Sequence, residues 1–258
     1  MSSMLTQHIP HLEAMKKYPS TLFYTGNVDL LKRPKVSIVG TRRPSNYTRQ
    51  LTHELAKSLS KRGVCIVSGA AMGVDAIAHE GAGTDNTIAV VANGLDIRYP
   101  AVNKGLIESI ENNGLVLSQF NDGFRATGWS FVVRNELVVA LGDMLIVAEA
   151  DLDSGSMRSV EYALEMGKEI FVLPQRLDES LGTNHLLNKK KANAIHDIET
   201  FASIFGSSVD DKVEKDDFFY FCQQRPTFDE SIEKYGDRVY EAELEGMISI
   251  QNGIVRLS

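Results

Sequence analysis

The chain has 258 residues, of which 43% are hydrophobic and 24% charged, and its 27 basic and 34 acidic residues leave a formal net charge of −7. This composition excludes a disordered or collagen-like chain, and the length allows one large domain with or without a small one. A net acidic charge also argues against a nucleic-acid binder.

The sequence carries no signal for a membrane or for an oxidising compartment. No run approaches the ~18 apolar residues of a membrane span, and residues 1–10 lack a basic segment followed by an apolar one. We therefore expect a cytoplasmic protein without a membrane partner. Cys65 and Cys222 form neither a disulfide framework nor a metal-spaced cluster, which fits a reducing compartment.

The charge is unevenly distributed along the chain. Residues 1–62 hold 11 basic and 3 acidic residues, residues 63–209 hold 10 and 19, and residues 210–258 hold 6 and 12. Because a potential is felt over about one Debye length, the net charge averages over surfaces that meet different partners. Any polyanion is expected to meet the N-terminal quarter.

From Val36 onward, short apolar runs alternate with helical patterns, which is typical of repeated βαβ units. The runs are rich in Val and Ile, as expected for strands covered on both faces. The predicted strands are 36–39, 64–67, 87–92, 115–118, 144–148 and 169–173, and the predicted helices are 46–62, 73–81, 101–113, 129–141 and 156–166. The fold class is therefore α/β: an extended Rossmann-like, mostly parallel sheet with helices on both faces.

A small second unit is expected at the C-terminal end. Thr227 and Glu230 form a capping-box pattern, residues 237–245 read as a helix, and Asn252-Gly253 predicts a tight turn between strands 247–250 and 254–257. Helices followed by a hairpin resemble a winged-helix module. The expected organisation is an N-terminal extension packed on the core (1–35), a Rossmann-like domain (36–205), an acidic linker (206–217) and the winged-helix-like module (218–258).

Three loops that follow predicted strands combine glycine with hydroxyl side chains. They begin at Gly40, Ser68 and Asp153, and each leads into the start of a helix. Parallel strands end at one edge of the sheet, so these loops should converge there. Glycine lets an anion approach bare N–H groups, the helix dipole favours negative charge, and Arg42 and Arg43 add full charges. The sequence therefore predicts a phosphate-binding crevice.

The usual phosphate-binding and catalytic motifs are missing. No G-x-G-x-x-G follows the first strand, no P-loop or G-x-S-x-G elbow occurs, and the six histidines lack metal-ligand spacing. Glu149, Asp151 and Asp153 follow the fifth strand, where a carboxylate could act as a general base or could simply cap a helix. We predict no catalytic residue, no metal and no cofactor.

A longer polymeric anion fits the crevice better than a dinucleotide, because aromatic side chains that could stack on unpaired bases lie nearby in the sequence. The candidates are Tyr47, Tyr99, Phe124, Trp129 and Phe131. Phe131 stands one helical turn before Arg134 and Asn135. The alternative interpretation is that Phe131 belongs to the core face of its helix.

The chain resembles the DNA-processing protein A family (DprA, also called Smf) over residues 18–205. The resemblance rests on Tyr18-Pro19 with residues 22–26, on residues 36–42 (VSIVGTR) and on residues 67–75 (VSGAAMGVD) with His79. It continues through Gly94-Leu95-Asp96, Tyr99-Pro100, Phe131 with Arg134-Asn135, Ser154-Gly155-Ser156 and Gly182-Thr183-Asn184.

The resemblance implies an extended Rossmann fold that binds single-stranded DNA, forms a homodimer, and loads a RecA-type recombinase onto DNA taken up in natural transformation. Together with the three strand-end loops, the resemblance implies that one set of residues in the Rossmann-like domain binds DNA. The predicted DNA-binding residues are Gly40, Thr41, Arg42, Arg43, Ser68, Gly69, Gly73, Phe131, Arg134, Asn135, Ser154, Gly155 and Ser156.

Two departures from the family pattern lie beside Phe131. The family usually has a basic residue shortly before this Phe and another after Arg-Asn, whereas Gly128 and Glu136 stand at these places here. Arg125, in the preceding loop, is a candidate substitute.

The alternative function is a Rossmann-like phosphoribohydrolase acting on nucleoside monophosphates, with Glu149 as its catalytic carboxylate.

The helix at 237–245 is acidic and should repel duplex DNA, which predicts a protein-binding or self-docking role for the C-terminal module.

Overall fold

The structure, a computed structural model, describes residues 3–207, 217–244 and 246–257. The chain divides into two compact units, Met1–Ser208 and Val209–Ser258. Most of the predicted acidic linker, residues 208–216, lies outside the described residues. Within the described ranges, no helix is both long enough and apolar enough to cross a membrane.

The first unit is built on one sheet of nine strands. The strands are β1 (Ser3–Met4), β2 (Phe23–Gly26), β3 (Lys35–Val39), β4 (Cys65–Ser68), β5 (Thr87–Val91), β6 (Leu115–Ser118), β7 (Met144–Val147), β8 (Ile170–Val172) and β9 (Asn193–Ala194). Their order across the sheet is β1-β2-β6-β5-β4-β3-β7-β8-β9. All neighbours from β6 to β9 are parallel, while β1 and β2 add an antiparallel edge. This confirms the predicted fold class.

Among the described residues of this unit, six helices connect the strands and a seventh follows β9: α1 (Asn46–Ser60), α2 (Val74–Ala82), α3 (Lys104–Asn113), α4 (Gly128–Leu141), α5 (Gly155–Glu165), α6 (Leu181–Asn188) and α7 (Ile198–Ala202). The five helices expected from the sequence are confirmed with small shifts of their ends. The predicted helix at 101–113 begins as a 3₁₀ turn, Ala101–Asn103, before α3. Ser45 caps α1 by accepting a hydrogen bond from Thr48 N at 3.2 Å.

The central strands are apolar because both of their faces are buried. Along β3, Val36 and Ile38 pack on one side with Leu55 of α1, while Val39 packs on the other side with Leu137 of α4. Successive side chains of a strand point to opposite faces, so a strand between two helical layers needs apolar residues throughout. This packing holds the carboxyl ends of the central strands in fixed register.

The N-terminal segment adds two strands, β1 and β2, that the sequence analysis did not predict. β2 pairs antiparallel with β6, with Phe23 opposite Ser118 and Gly26 opposite Leu115. Between β1 and β3, Leu12 and Leu30 are completely buried in the same cluster as α4. Their burial ties the segment before β3 to the helix that carries Phe131.

The described part of the second unit contains three helices and a hairpin: α8 (Asp217–Gln223), α9 (Phe228–Tyr235), α10 (Arg238–Leu244), β10 (Ile248–Gln251) and β11 (Ile254–Leu257). The predicted capping box is present, since Thr227 N donates to Glu230 Oε2 at 2.8 Å. The predicted turn is also confirmed, because Asn252 and Gly253 both have positive φ, 53° and 73°. The unit buries its own small core around Val239 and Val255.

Candidate nucleic-acid interface

A cleft opens where the strand order of the sheet reverses. The chain runs from β3 outward through β4, β5 and β6, then returns to β7 on the other side of β3. In open α/β sheets, ligands bind at this switch point, beyond the carboxyl ends of the strands. The loops after β4, β3 and β7 are therefore neighbours, as the sequence analysis expected.

The cleft has a volume of about 450 Å³, and the three loops, α4 and the first turn of α5 line it. Ten of the thirteen predicted residues lie on its walls: Gly40, Thr41, Arg42, Gly69, Phe131, Arg134, Asn135, Ser154, Gly155 and Ser156. The sequence analysis missed the remaining lining residues: Val39, Ala71, Asp75, Gly128, Val132, Val138, Arg158 and Ser159.

The backbone of Thr41 joins the three loops. Thr41 N donates to Glu149 O at 2.8 Å, which ties the β3 loop to the β7 loop. Thr41 O accepts from Val74 N at 3.1 Å, which ties it to the first residue of α2. Gly40 faces Val74 so closely that an added Cβ would lie 2.6 Å from Val74 Cγ2. This close contact explains why glycine follows the strand.

The floor of the cleft is a buried pair of opposite charges. Arg134 of α4 is 5% exposed and donates to Gly69 O, to Val90 O at 3.0 Å and to Asn135 Oδ1 at 3.1 Å. Burial lowers the pKa of Arg134, and Asp75 opposes that shift. Burial raises the pKa of Asp75, and Arg134 opposes it in turn. Arg134 therefore holds the β4 loop in place. Because Asp75 offsets its charge, Arg134 attracts an anionic ligand only weakly.

Three predicted residues do not line the cleft. Ser68 is completely buried and donates to Ile38 O at 2.6 Å, because the pleat of β4 turns its side chain inward. Gly73 has φ +79°, and an added Cβ would lie 2.5 Å from Thr41 O, so it packs two loops together. Arg43 is exposed and its N–H donates to Thr41 Oγ1 at 3.2 Å. The expectation of direct DNA contact is corrected for the buried Ser68 side chain, and it stays a prediction for Gly73 and Arg43.

Arg42 and Phe131 stand together at the mouth of the cleft. The guanidinium carbon of Arg42 lies 5.3 Å from the centroid of the Phe131 ring, and that of Arg134 lies 5.8 Å away. Tyr99, which is 48% exposed, brings its ring to 6.1 Å from Phe131 at an angle of 49°. Phe131 is partly exposed, so the interpretation of it as a core residue is wrong.

The third wall is the start of α5. Ser154 precedes Gly155, the first residue of the helix, and its side chain does not cap that helix. Within the described part of the chain, Ser154 Oγ has no hydrogen-bond partner. Asn135 Nδ2 donates to Gly155 O at 3.4 Å, which links α4 to this turn. Free N–H groups at a helix start, a hydroxyl and no Cβ on Gly155 suit an anion.

The carboxylate proposed as a catalytic base is already engaged. Glu149 Oε2 accepts from Ser45 N and from Ser45 Oγ, both at 3.0 Å. It does not line the cleft. Its contacts stabilise the turn that begins α1, which is the helix-capping role of such residues.

The two departures beside Phe131 have clear structural settings. Gly128 lines the cleft, and a Cβ added there would meet no atom within 4 Å. Glu136 points to the N-terminal segment, where its Oε1 accepts from Lys16 N at 3.1 Å. Arg125 is exposed and does not line the cleft.

Comparison with known proteins shows the family of the chain. The family model described as DNA recombination-mediator protein A matches residues 4–206. The DNA processing protein DprA of Streptococcus pneumoniae is 40% identical over 175 residues, which cover 66% of this chain and 62% of that protein. The Protein Smf of Escherichia coli is 36% identical over 168 residues, covering 64% and 45%. The chain thus spans about half to two thirds of the length of these curated relatives.

Two solved structures are similar. DNA processing protein A from Helicobacter pylori, whose structure describes a single-stranded DNA binding mode, is 44% identical with a TM-score of 0.77 over 79% of this chain and 95% of that one. DprA from S. pneumoniae is 34% identical with a TM-score of 0.72, covering 80% and 74%. The family match spans well over half of the chain, and the cleft residues fall within it. The chain belongs to the DNA recombination-mediator protein A (DprA/Smf) family.

Proposed function

We propose that the chain binds single-stranded DNA in the cleft at the switch point of its sheet. The observation that carries this proposal is the position of Arg42 beside the partly exposed ring of Phe131, at the mouth of a cleft lined by three strand-end loops. A cation next to an aromatic face matches a nucleotide, which pairs a phosphate with a stackable base. The single-stranded DNA binding mode described for the H. pylori relative supports it.

In this proposal, a phosphate lies on the loop at Thr41 and on the first turn of α5, where the N–H groups of Gly155 and Ser156 and the hydroxyl of Ser154 are the donors. Arg42 supplies the full charge, and a base stacks on Phe131. A base is free to stack only when it is unpaired, so the site favours single strands. The acidic remainder of the chain disfavours broad coating of a duplex.

We further propose that this binding serves recombination and not catalysis. The protein would act in the cytoplasm as a homodimer, protect DNA taken up in natural transformation and load a RecA-type recombinase on it. The family description as a recombination mediator and the DprA relatives support this role. The phosphoribohydrolase alternative is disfavoured, because Glu149 already accepts two hydrogen bonds from Ser45 and lies outside the cleft lining.

For the second unit we propose a protein partner or a docking role. Glu241 and Glu243 of α10 are exposed, and phosphates would repel them. If deletion of residues 210–258 lowered the affinity for duplex DNA, this proposal would be refuted.

Replacing Arg42 tests the main proposal. Loss of a charge-assisted contact costs about 1.5–3 kcal/mol, so Arg42→Ala should weaken binding of labelled oligo-dT about ten- to hundredfold. The slope of log affinity against log salt should also become shallower by about 0.7. Lys57→Ala, near the far end of α1, is the matched control and should bind like the wild type. Equal losses for both variants would show diffuse attraction instead of a site.

A further inference from the structure

Three arginines line the cleft, and they differ in the burial and in the partners of their guanidinium groups. Arg134 is buried and donates to Gly69 O, Val90 O and Asn135 Oδ1. Arg42 stands exposed at the mouth, beside Phe131. The third is Arg158, which the sequence analysis did not single out.

Arg158 lies in the first turns of α5, close to the predicted anion site at Ser154. Its side chain is 63% exposed, and its Nη1 lies 2.7 Å from Glu161 Oε2 on the same helix. Glu161 is itself 57% exposed. Such a surface pair, three residues apart on one helix, is weak because water and salt screen it.

The facing helix offers no other positive charge. Apart from the committed Arg134, the positions at which α4 lines the cleft are uncharged: Gly128, Phe131, Val132, Asn135 and Val138. A phosphate seated between the β3 loop and the first turn of α5 would therefore meet Arg42 from one side. The cation available to it from the other side is Arg158.

We propose that Arg158 is the second phosphate-binding cation of the cleft, and that bound DNA takes it over from Glu161. This inference rests on the proposed function, since it needs a phosphate in the cleft. The exchange is favourable because a phosphate oxygen in the cleft is also held by N–H groups and by Arg42, whereas Glu161 holds Arg158 at an exposed surface. Glu161 thus competes with DNA for the same guanidinium.

The competition makes opposite predictions for the two members of the pair. Arg158→Ala should weaken binding of oligo-dT by about five- to tenfold and make the salt slope shallower by about 0.7. Glu161→Gln keeps the size of the side chain and frees the guanidinium, so it should tighten binding by about twofold. Arg158→Lys keeps the charge and should retain most of the affinity.

Lys32→Ala is the matched control. Lys32 also forms an ion pair three residues away, with Asp29 at 2.7 Å, and its side chain is 66% exposed. It precedes the amino end of β3, whereas the cleft lies beyond the carboxyl ends of the strands. Its replacement should leave the affinity and the salt slope unchanged.

The experiment is a fluorescence anisotropy titration of labelled oligo-dT with the 258-residue chain, its four variants and Arg42→Ala at several salt concentrations. Binding that falls in Arg42→Ala and in Arg158→Ala, but not in Lys32→Ala, supports the inference. Binding that depends on Arg42 but is as indifferent to Arg158→Ala as to Lys32→Ala overturns the inference alone. A wild-type chain that does not bind oligo-dT overturns the proposed function and the inference with it.

Discussion

His79 is a fully buried histidine on α2 whose protonation should govern the acid stability of the first unit. Its Nδ1 lies 2.6 Å from Thr87 Oγ1, and that hydroxyl already donates to Ile66 O at 2.8 Å. Thr87 Oγ1 therefore accepts from His79, which places the proton of the neutral ring on Nδ1. Burial, and secondarily the charge of Arg134, lower the pKa of His79 to about 3.

This lowered pKa fixes the direction of the pH dependence. An unfolded histidine has a pKa of about 6.5, whereas the pKa of folded His79 is about 3. Between these values the unfolded state binds more protons, so the contribution of His79 to stability is complete above pH 6.5 and is lost as the pH falls. Between pH 7.5 and pH 5 the loss amounts to about 2 kcal/mol.

Urea unfolding followed by tryptophan fluorescence measures this loss, because the single tryptophan, Trp129, lies in the first unit. His79→Asn keeps an N–H group for Thr87 but cannot titrate. The free energy of unfolding of the wild type should fall by about 2 kcal/mol more than that of the variant between pH 7.5 and pH 5. An equal fall in both proteins would refute the assignment of a neutral, buried His79.

Three further predictions concern the cleft. Gly128→Lys adds a cation to the wall of the cleft, at a position where a Cβ meets no atom within 4 Å. It should tighten oligo-dT binding by about two- to fivefold and steepen the salt slope by about 0.7. An unchanged affinity and salt slope would contradict this prediction. Trp129 follows Gly128 and is 64% exposed, so a base stacked there should quench its fluorescence, and saturating oligo-dT without quenching would show that the strand passes elsewhere. Gly69→Ala would place a Cβ against the Arg134 guanidinium and 2.6 Å from Asp75 Oδ2, so it should lower the free energy of unfolding of the first unit by about 3 kcal/mol in urea. Gly155→Ala is the control: a Cβ there meets no atom within 4 Å, so it should leave the free energy of unfolding unchanged.

The parallel core of the sheet was predictable because strands buried on both faces must be apolar throughout. The predicted strand at 87–92 is β5, Thr87–Val91, for this reason. β2 escaped prediction because it is short and pairs at an antiparallel edge. Its partner β6 lies about ninety residues away in the sequence, and no local pattern records such a pairing.

The position of the cleft was predictable, but the direction of individual side chains was not. Gly40, Arg42 and Ser154 were found from their places after strands, since parallel strands end at one edge. Ser68 shares that placement, yet the pleat of β4 turns its hydroxyl inward to Ile38 O. Arg134 is buried with Asp75 as its opposite charge, and Asp75 lies in the first turn of α2, so the sequence neighbours of Arg134 gave no sign of this pairing.

The preference of the cleft for unpaired DNA is tested most directly by one comparison. Fluorescence anisotropy of the 258-residue chain with labelled oligo-dT and with a duplex of equal length, each at two salt concentrations, gives both affinities and both salt slopes. We predict clearly tighter binding of oligo-dT at both salt concentrations, with a slope of about −0.7 for each neutralised phosphate. Equal or tighter binding of the duplex, or no binding of oligo-dT, would contradict the account.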